Sequence, residues 1–367
     1  MQDISFKHHR SPAVRRLLTE LIARIRSGAL RPGDYLPSAH ALAAHYGIGY
    51  VSVIRAYKTL SEAGLVETVR GRGAFVRAAA PAALTDITVV LGSQQSLTLE
   101  GNPHTAWVFQ WMLSGMNAGT LARNVRMQLQ FADVVGEQWR AVVDALPAEG
   151  GVLFLMSAPP AWVMRLHRRG IPYGVVLPGQ YSAWDAELPR AIADYRGSVR
   201  AATAAVLARG PRRAAFLGVR DGDDHETPRY LGFLDALAAA GLAEPIIIPC
   251  PSIDPAVARA TMRDYLAAHP GLSFDFLVCG NDLRALGALE ALAEGGLRVP
   301  DDVAVLGFDD IPAAAAAGLS TVRLPVRDLG EASIHWLLDT VAADPASLPA
   351  PLTLPCPPVW RASTARC

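Results

Sequence analysis

Short apolar runs recur along most of the chain: Ile87–Leu91, Gly151–Met156, Tyr173–Leu177, Ala214–Leu217, Pro245–Ile248, Phe276–Cys279 and Val303–Gly307. Each is too short to be a helix and is rich in β-branched or aromatic side chains, the pattern of strands buried on both faces. Between them lie stretches with helical spacing, such as Ala106–Ala118 and Asp282–Glu294. Strands alternating with helices restrict the body to an α/β architecture of parallel sheets covered on both sides. In such folds, ligands bind beyond the carboxyl ends of the strands.

A chain of 367 residues has room for two or three domains. With 51% hydrophobic and 19% charged residues it can bury a sizeable core, which excludes a disordered chain. No apolar run reaches the ~18–20 residues of a membrane-spanning helix. Met1 to Arg10 is polar and lacks the apolar stretch of a secretion signal, so a cytoplasmic protein that does not engage a membrane is expected. Cys250, Cys279, Cys356 and Cys367 form no Cys-x-x-Cys pair; they read as buried or incidental thiols in a reducing compartment, with no metal site. The net charge of zero hides an asymmetry. Residues 1–77 hold ten Arg and two Lys against five acidic residues, a net +7 balanced by the remainder. A basic head on an acidic body suits a polyanionic partner, or else a solvated charged face.

Within that head, Val14, Leu17, Leu18, Leu21, Ile22 and Ile25 form one helical stripe, stopped at Gly28. Pro32-Gly33 makes a turn, and Ser38 is placed to cap a second helix that runs to about Tyr46 and ends at Gly47. A third helix spans Gly49 to Glu62, with Val53, Ala56, Tyr57 and Leu60 facing inward, Tyr57 as a core residue. Two short helices joined at a glycine make a helix-turn-helix, whose second helix enters the major groove. Leu65–Val69 and Ala74–Val76 read as a hairpin around Gly71, and Arg70 and Arg72 at its tip are placed to reach phosphates or a narrow minor groove.

These residues resemble the winged helix of GntR-type regulators. The likeness covers about residues 11–77 and rests on three motifs in order: the "GALRPGDYLPS" opening, the "LSEAGLV" exit and the "GRGAFV" wing. The resemblance implies DNA binding through Ser38, His40, Tyr50, Ser52, Arg55, Lys58, Arg70, Gly71 and Arg72. His40 and Ile54 stand where the family usually has arginine, and Gly49-Tyr50-Val51-Ser52 where it usually has Ser-Arg-Thr-Thr. Tyr50 and Ser52 are thus open to either base or phosphate contact.

A small-residue linker follows, and the domain reading is a DNA-binding domain over 1–77, a linker over 78–86 and a body over 87–367. The body resembles LacI-type regulators and their periplasmic-binding-protein-like sensor domain. The likeness rests on Asn102–Ala106, on Asp194-Tyr195-Arg196-Gly197, and on "RYLGF" at 229–233. It continues through "FLVCGNDLRALGALEAL", "VPDDVAVLGFDDI" and "WRAST". GntR head and LacI-type body together are the hybrid of arabinose-type repressors. The resemblance implies two lobes, about 87–211 with 324–350 and about 212–323 with 351–367. It also implies an effector bound between them by His104, Thr105, Arg229, Asn281 and Asp309. Arg229 is read as opening a helix after the loop 221–228, Asp282 as capping the next helix, and Asp310 as a turn residue. Trp107 and Trp111 are read as core or dimer packing. Leu324 and Pro178 depart from the family's polar residues.

The function expected is a ligand-responsive bacterial transcriptional repressor, a homodimer on double-stranded operator DNA, with a sugar-like or other small polar effector. Coupling between head and body is expected to run through the linker. No catalytic residue and no cofactor is expected. The alternatives are a solute-binding protein without a regulatory role, or an enzyme with a metal or metabolite site, for which the acidic loop 221–226 is the one candidate.

Overall fold

The computed structural model describes residues 11–27, 29–69, 73–77, 83–91, 103–131, 139–147, 150–156, 158, 160–177, 188–211, 213–218, 226–242, 244–250, 252–343 and 349–365, apart from the side chains of residues 26, 103–105, 139–141 and 226. It divides into two compact units: Met1–Phe109, Met116–Val176 and Glu331–Ala350 form the first, and Gln110–Gly115, Leu177–Gly330 and Pro351–Cys367 the second.

The head belongs to the first unit. Helices α1 (Pro12–Arg26), α2 (Ala39–Tyr46) and α3 (Tyr50–Glu62) are followed by strands β1 (Val66–Val69) and β2 (Gly73–Val76). Pro12 opens α1, where its missing N–H costs nothing. The Ser38 hydroxyl accepts from Ala41 N at 3.2 Å and caps α2. Gly47 ends α2 in the left-handed region (φ 63°), which makes the sharp turn into α3 possible. One apolar cluster joins Leu17, Leu18 and Leu21 of α1 to Leu42, Val53, Tyr57, Leu60, Val66 and Val76. The Tyr57 hydroxyl donates to the Pro37 carbonyl, tying α3 to the entry of α2. β1 and β2 pair antiparallel, Val66 opposite Val76. Leu36 N donates to Ala74 O and Gly33 N to Val76 O, so the segment before α2 lies along β2.

The rest of the first unit contains β3 (Asp86–Leu91), α4 (Pro103–Ala122), β4 (Arg126–Phe131), α5 (Trp139–Ala145), β5 (Gly150–Leu155), α6 (Pro160–Arg169) and β6 (Tyr173–Val176). These strands lie parallel in the order β4-β3-β5-β6. β3, β5 and β6 are buried along their whole length, and β4 is an open edge.

The second unit begins with β7 (Arg190–Asp194), α7 (Tyr195–Leu207), β8 (Ala214–Gly218), α8 (Glu226–Ala239), β9 (Ile246–Pro249), α9 (Pro255–Ala268) and β10 (Phe276–Cys279). It continues with α10 (Asp282–Glu294), β11 (Ala304–Asp309), α11 (Pro312–Ala316) and β12 (Ser320–Arg323). The long α12 (Val326–Ala343) starts in the second unit and from Glu331 onward belongs to the first; β13 (Leu352–Pro355) and β14 (Pro358–Val359) return to the second. The sheet order is β14-β12-β11-β10-β8-β9, parallel except for the β12–β14 pair. β7 pairs in parallel with β13. The lobe limit read from sequence lies at 211, whereas the contacts assign Leu177 onward, with β7 and α7, to the second unit. The cause is local: α7 packs closely on α8, and a Cβ at Gly232 would collide with the Arg196 carbonyl.

Candidate functional sites

α3 carries the residues expected to meet DNA. Tyr50, Arg55 and Lys58 are exposed and Ser52 is half-buried. The exposed His40 of α2 packs its ring 4.6 Å from that of Tyr50, which fixes the first residue of α3. Lys58 pairs with Glu62 at 3.7 Å on the helix surface, a contact worth little and easily exchanged for a phosphate. Ser38 is committed to capping α2. Arg70, Gly71 and Arg72 lie outside the described residues.

The head also touches the body inside the first unit. His167 Nε2 on α6 lies 2.9 Å from a Glu67 carboxylate oxygen on β1, and the Arg168 guanidinium stands 5.2 Å from the Tyr35 ring centroid. A hollow of about 410 Å³ beside this contact is lined by Arg31, Asp34, Asp144, Arg165, Arg168 and Arg169. The hollow is lined mainly by charged side chains. β1 and α6 are thus in direct contact, in addition to the chain connection between head and body.

At the carboxyl ends of β10 and β11, the second unit brings together three of the residues expected to bind an effector. Arg229, in the first turn of α8, is buried; its helix begins at Glu226, three residues earlier than the loop read from sequence. Its Nη1 donates to Gly280 O at 2.6 Å and its Nη2 to Asp309 Oδ1 at 3.4 Å. The guanidinium lies 3.9 Å from the Phe308 ring centroid and 5.1 Å from that of Tyr195. Both ring faces attract the guanidinium. Among the described residues, the buried Arg229 Nε–H has no acceptor. Asp309 is fully buried and sits at φ 121°, a strained conformation for a residue with a Cβ. Asn281 is buried beside Gly280, and its Oδ1 accepts from Arg284 N at 2.9 Å. His104 and Thr105 lie in α4, but their side chains are outside the described residues.

Asp282 was expected to cap α10. The cap is Asn281, one residue earlier, and Asp282 does something else. Fully buried, it accepts from Thr321 Oγ1 at 2.6 Å through Oδ1 and from Ile311 N at 3.0 Å through Oδ2. It thus ties the start of α10 to β12 and to the turn after β11. Burial, and then the Asp309 charge, push its carboxyl up to about 7. Gly307 leaves room for it: a Cβ there would collide with Asp282 Oδ1.

Asp310 does lie in the turn (φ 63°), but it is also an ion-pair centre, holding Arg323 at 2.8 Å and Arg361 at 2.6 Å. The "WRAST" segment is thereby a staple: Ser363 Oγ donates to Val305 O and accepts from Ser320 N. Sequence reasoning missed Tyr195 and Phe308 as the rings around Arg229. Phe308 could have been found from its place between Gly307 and Asp309 in a strand-end motif. Trp111 is exposed and leaves the core reading, while Leu324 is buried in the second unit. Cys250, Cys279 and Cys356 are buried and form no disulfide, and burial pushes the Cys356 thiol up to about 12. Pro178, Cys367 and the acidic loop, residues 221–225, lie outside the described residues. Among the described residues no cluster of His, Cys, Asp or Glu fits a metal ion, and no helix is long and apolar enough to cross a membrane.

Two family models match: bacterial regulatory proteins of the gntR family over residues 13–76, and a periplasmic binding protein-like domain over residues 203–364. A lactose operon repressor of Rhizobium radiobacter is 38% identical over 91 residues, 24% of this chain and 79% of that protein. The chain belongs to the LacI/GntR-type transcriptional regulators. The regulator is also 34% identical over 220 residues to an uncharacterized HTH-type transcriptional regulator in the aml 5' region of Streptomyces limosus. That match covers 55% of the chain and 59% of the relative, so the chain spans about three fifths of the relative's length. In fold, the regulator resembles a transcriptional regulator CelR–cellobiose complex (TM-score 0.59, 21% identity), with 89% of this chain and 100% of that one covered.

Proposed function

We propose that the regulator binds a two-fold operator as a homodimer through α3 and the wing, and that a sugar-like or other small polar effector changes that binding. The observation that carries the effector reading is the buried Arg229. Its guanidinium bonds to Asp309 and to Gly280, the neighbour of Asn281, at the ends of parallel strands, where such folds hold ligands, and among the described residues its buried Nε–H has no acceptor. Guanidinium, carboxylate and amide together match vicinal hydroxyls, which both donate and accept. The cellobiose held by a structural relative is consistent with that class.

Dimerisation is supported by the exposed Leu121, Leu129 and Phe131 of the first unit, apolar side chains on α4 and on the open edge strand β4. Two heads then face two half-sites one helical turn apart. Effector binding shifts the heads by its differential affinity for the two states, the usual sense being release of the operator. The setting is the cytoplasm, where the operator is.

A thermal-shift screen of the full chain against sugars, sugar acids, polyols and nucleosides tests the effector reading. A ligand at 100 times its Kd stabilises by about 2.7 kcal/mol. A hit that also changes affinity for a selected duplex supports the proposal. A hit that stabilises an Arg229→Lys, Asp309→Asn double variant equally well places the effector elsewhere.

A further inference from the structure

The recognition helix presents an apolar face that the core does not use. Tyr50, Val51 and Ile54 are 47%, 61% and 42% exposed, while the opposite face of α3 is buried through Val53, Ala56, Tyr57 and Leu60. Val51 and Ile54 are three residues apart and so share one face of the first turns. One turn further along stand the exposed cations: Arg55 four residues after Val51, and Lys58 four after Ile54. Each row on this face thus begins with a hydrocarbon and ends with a charge.

We propose that Val51 and Ile54 read thymine C5-methyl groups, so that the operator half-site carries A·T pairs where the start of α3 meets the bases. The inference rests on the reading of the head as a DNA-binding domain. Residues at the start of a recognition helix are those that reach base edges. The aliphatic side chains of Val51 and Ile54 neither donate nor accept, so they cannot distinguish purine edges by hydrogen bonding. The apolar group that the natural base pairs show in the major groove is the thymine methyl. Arg55 and Lys58, on a head of net +7, supply the phosphate attraction that places the hydrocarbon there and argue for DNA over a protein partner. The ring contact with His40 holds Tyr50 at the edge of the patch, keeping the helix start in one presentation.

The test begins with selection of binding duplexes from a random pool by the full chain. Each thymine of the selected half-site is then replaced by deoxyuridine, which removes the methyl and leaves every hydrogen-bonding group in place. Loss of a methyl buried against Val51 or Ile54 weakens wild-type binding about fourfold. Val51→Ala and Ile54→Ala, substitutions at exposed positions that leave the melting temperature unchanged, each bind the thymine and uracil versions of one position equally. The proposal is overturned if wild type ignores every uracil substitution, or if both alanine variants keep the full thymine preference. It is likewise overturned if the variants change only the oligomeric state, which would make the patch a contact between copies. Failure to enrich any duplex would overturn the DNA-binding reading itself, a result distinct from enrichment without methyl dependence.

Discussion

The Arg229–Asp309 pair offers a quantitative test of how the second unit is built. The carboxylate is fully buried and the guanidinium nearly so, with 3.4 Å between their closest polar atoms. At an effective dielectric constant near 20, unit charges at that separation attract by about 5 kcal/mol, against which stands the cost of removing both from water. Replacing Arg229 by Met keeps volume over Phe308 but leaves Asp309 buried without its cation. The expected loss is about 3–5 kcal/mol. Asp309→Asn leaves Arg229 with Gly280 O and two ring faces, and asparagine tolerates positive φ better than most residues, so the expected loss is smaller, about 1–3 kcal/mol. Met at 229 with Asn at 309 removes both charges, and its loss falls short of the sum by about 2 kcal/mol or more. Urea unfolding of the full chain, following a probe on α8, reads all four corners of the cycle. Additivity within about 0.5 kcal/mol would refute the pair as a coupled unit. The reading of Arg229 as a poised ligand group held by Asp309 would fall with it.

Asp282 gives a pH signature. Its carboxyl is raised from 3.8 to about 7 in the fold, so its favourable contribution is complete below about pH 4 and lost as pH rises through about 7, a change on the order of 4 kcal/mol. Asp282→Asn, with its oxygen toward Ile311 N and its amide donating to Thr321 Oγ1, should flatten the dependence of the urea midpoint on pH across that window. An unchanged slope would assign the titration to another group. Gly307→Ala forces a methyl against Asp282 and Leu319 and should cost about 1–3 kcal/mol or more, read as a lower melting temperature; an unchanged melting temperature would contradict the packing described. Glu67→Ala breaks a half-exposed contact and should change stability by less than about 1 kcal/mol, while reducing the effector-induced change in DNA affinity; full retention of that change would leave the linker as the sole route.

What could be read from the sequence follows from how each element meets water. The α1 stripe was legible because Val14, Leu17, Leu18, Leu21 and Ile22 are all buried on one side. α10 was legible end to end because its small and apolar residues keep helical spacing against α9. β4 escaped notice because an edge strand with mostly exposed side chains has no apolar run to detect. β12 escaped for the opposite reason. Ser320 and Thr321 are fully buried, but hydrogen bonds to Thr364, the Arg361 carbonyl and Asp282 satisfy them, so polarity masks burial. The cluster of candidate residues was legible in its residue types, since Arg229, Asn281 and Asp309 stand at strand ends or helix starts. The exchange of roles between Asn281 and Asp282 was not, because both residue types cap helices well and only the three-dimensional path of β12 decides which carboxamide or carboxylate turns inward.

The motif around Arg229 shows why fold and site are hard to separate in this regulator. Gly232 lets α8 approach the Arg196 carbonyl of α7 more closely than any residue with a Cβ allows. Phe233 is fully buried beside it, and Asp235 receives the Arg196 guanidinium at 2.7 and 2.9 Å on the outer face. These contacts set the depth of α8, and the depth of α8 sets how far Arg229 reaches over Phe308. Along the next connection the same logic repeats: Gly287 lets α10 approach the start of α9, and Gly307 admits Asp282 beneath the strand that ends in Asp309. Each glycine acts through a neighbour's backbone or carboxylate, and each lies within five residues of Arg229, Asp282 or Asp309. A substitution at any of them therefore disturbs the packing of the fold and the geometry around Arg229 and Asp309 together. Loss of stability and loss of any effector response are accordingly expected to go together at these glycines.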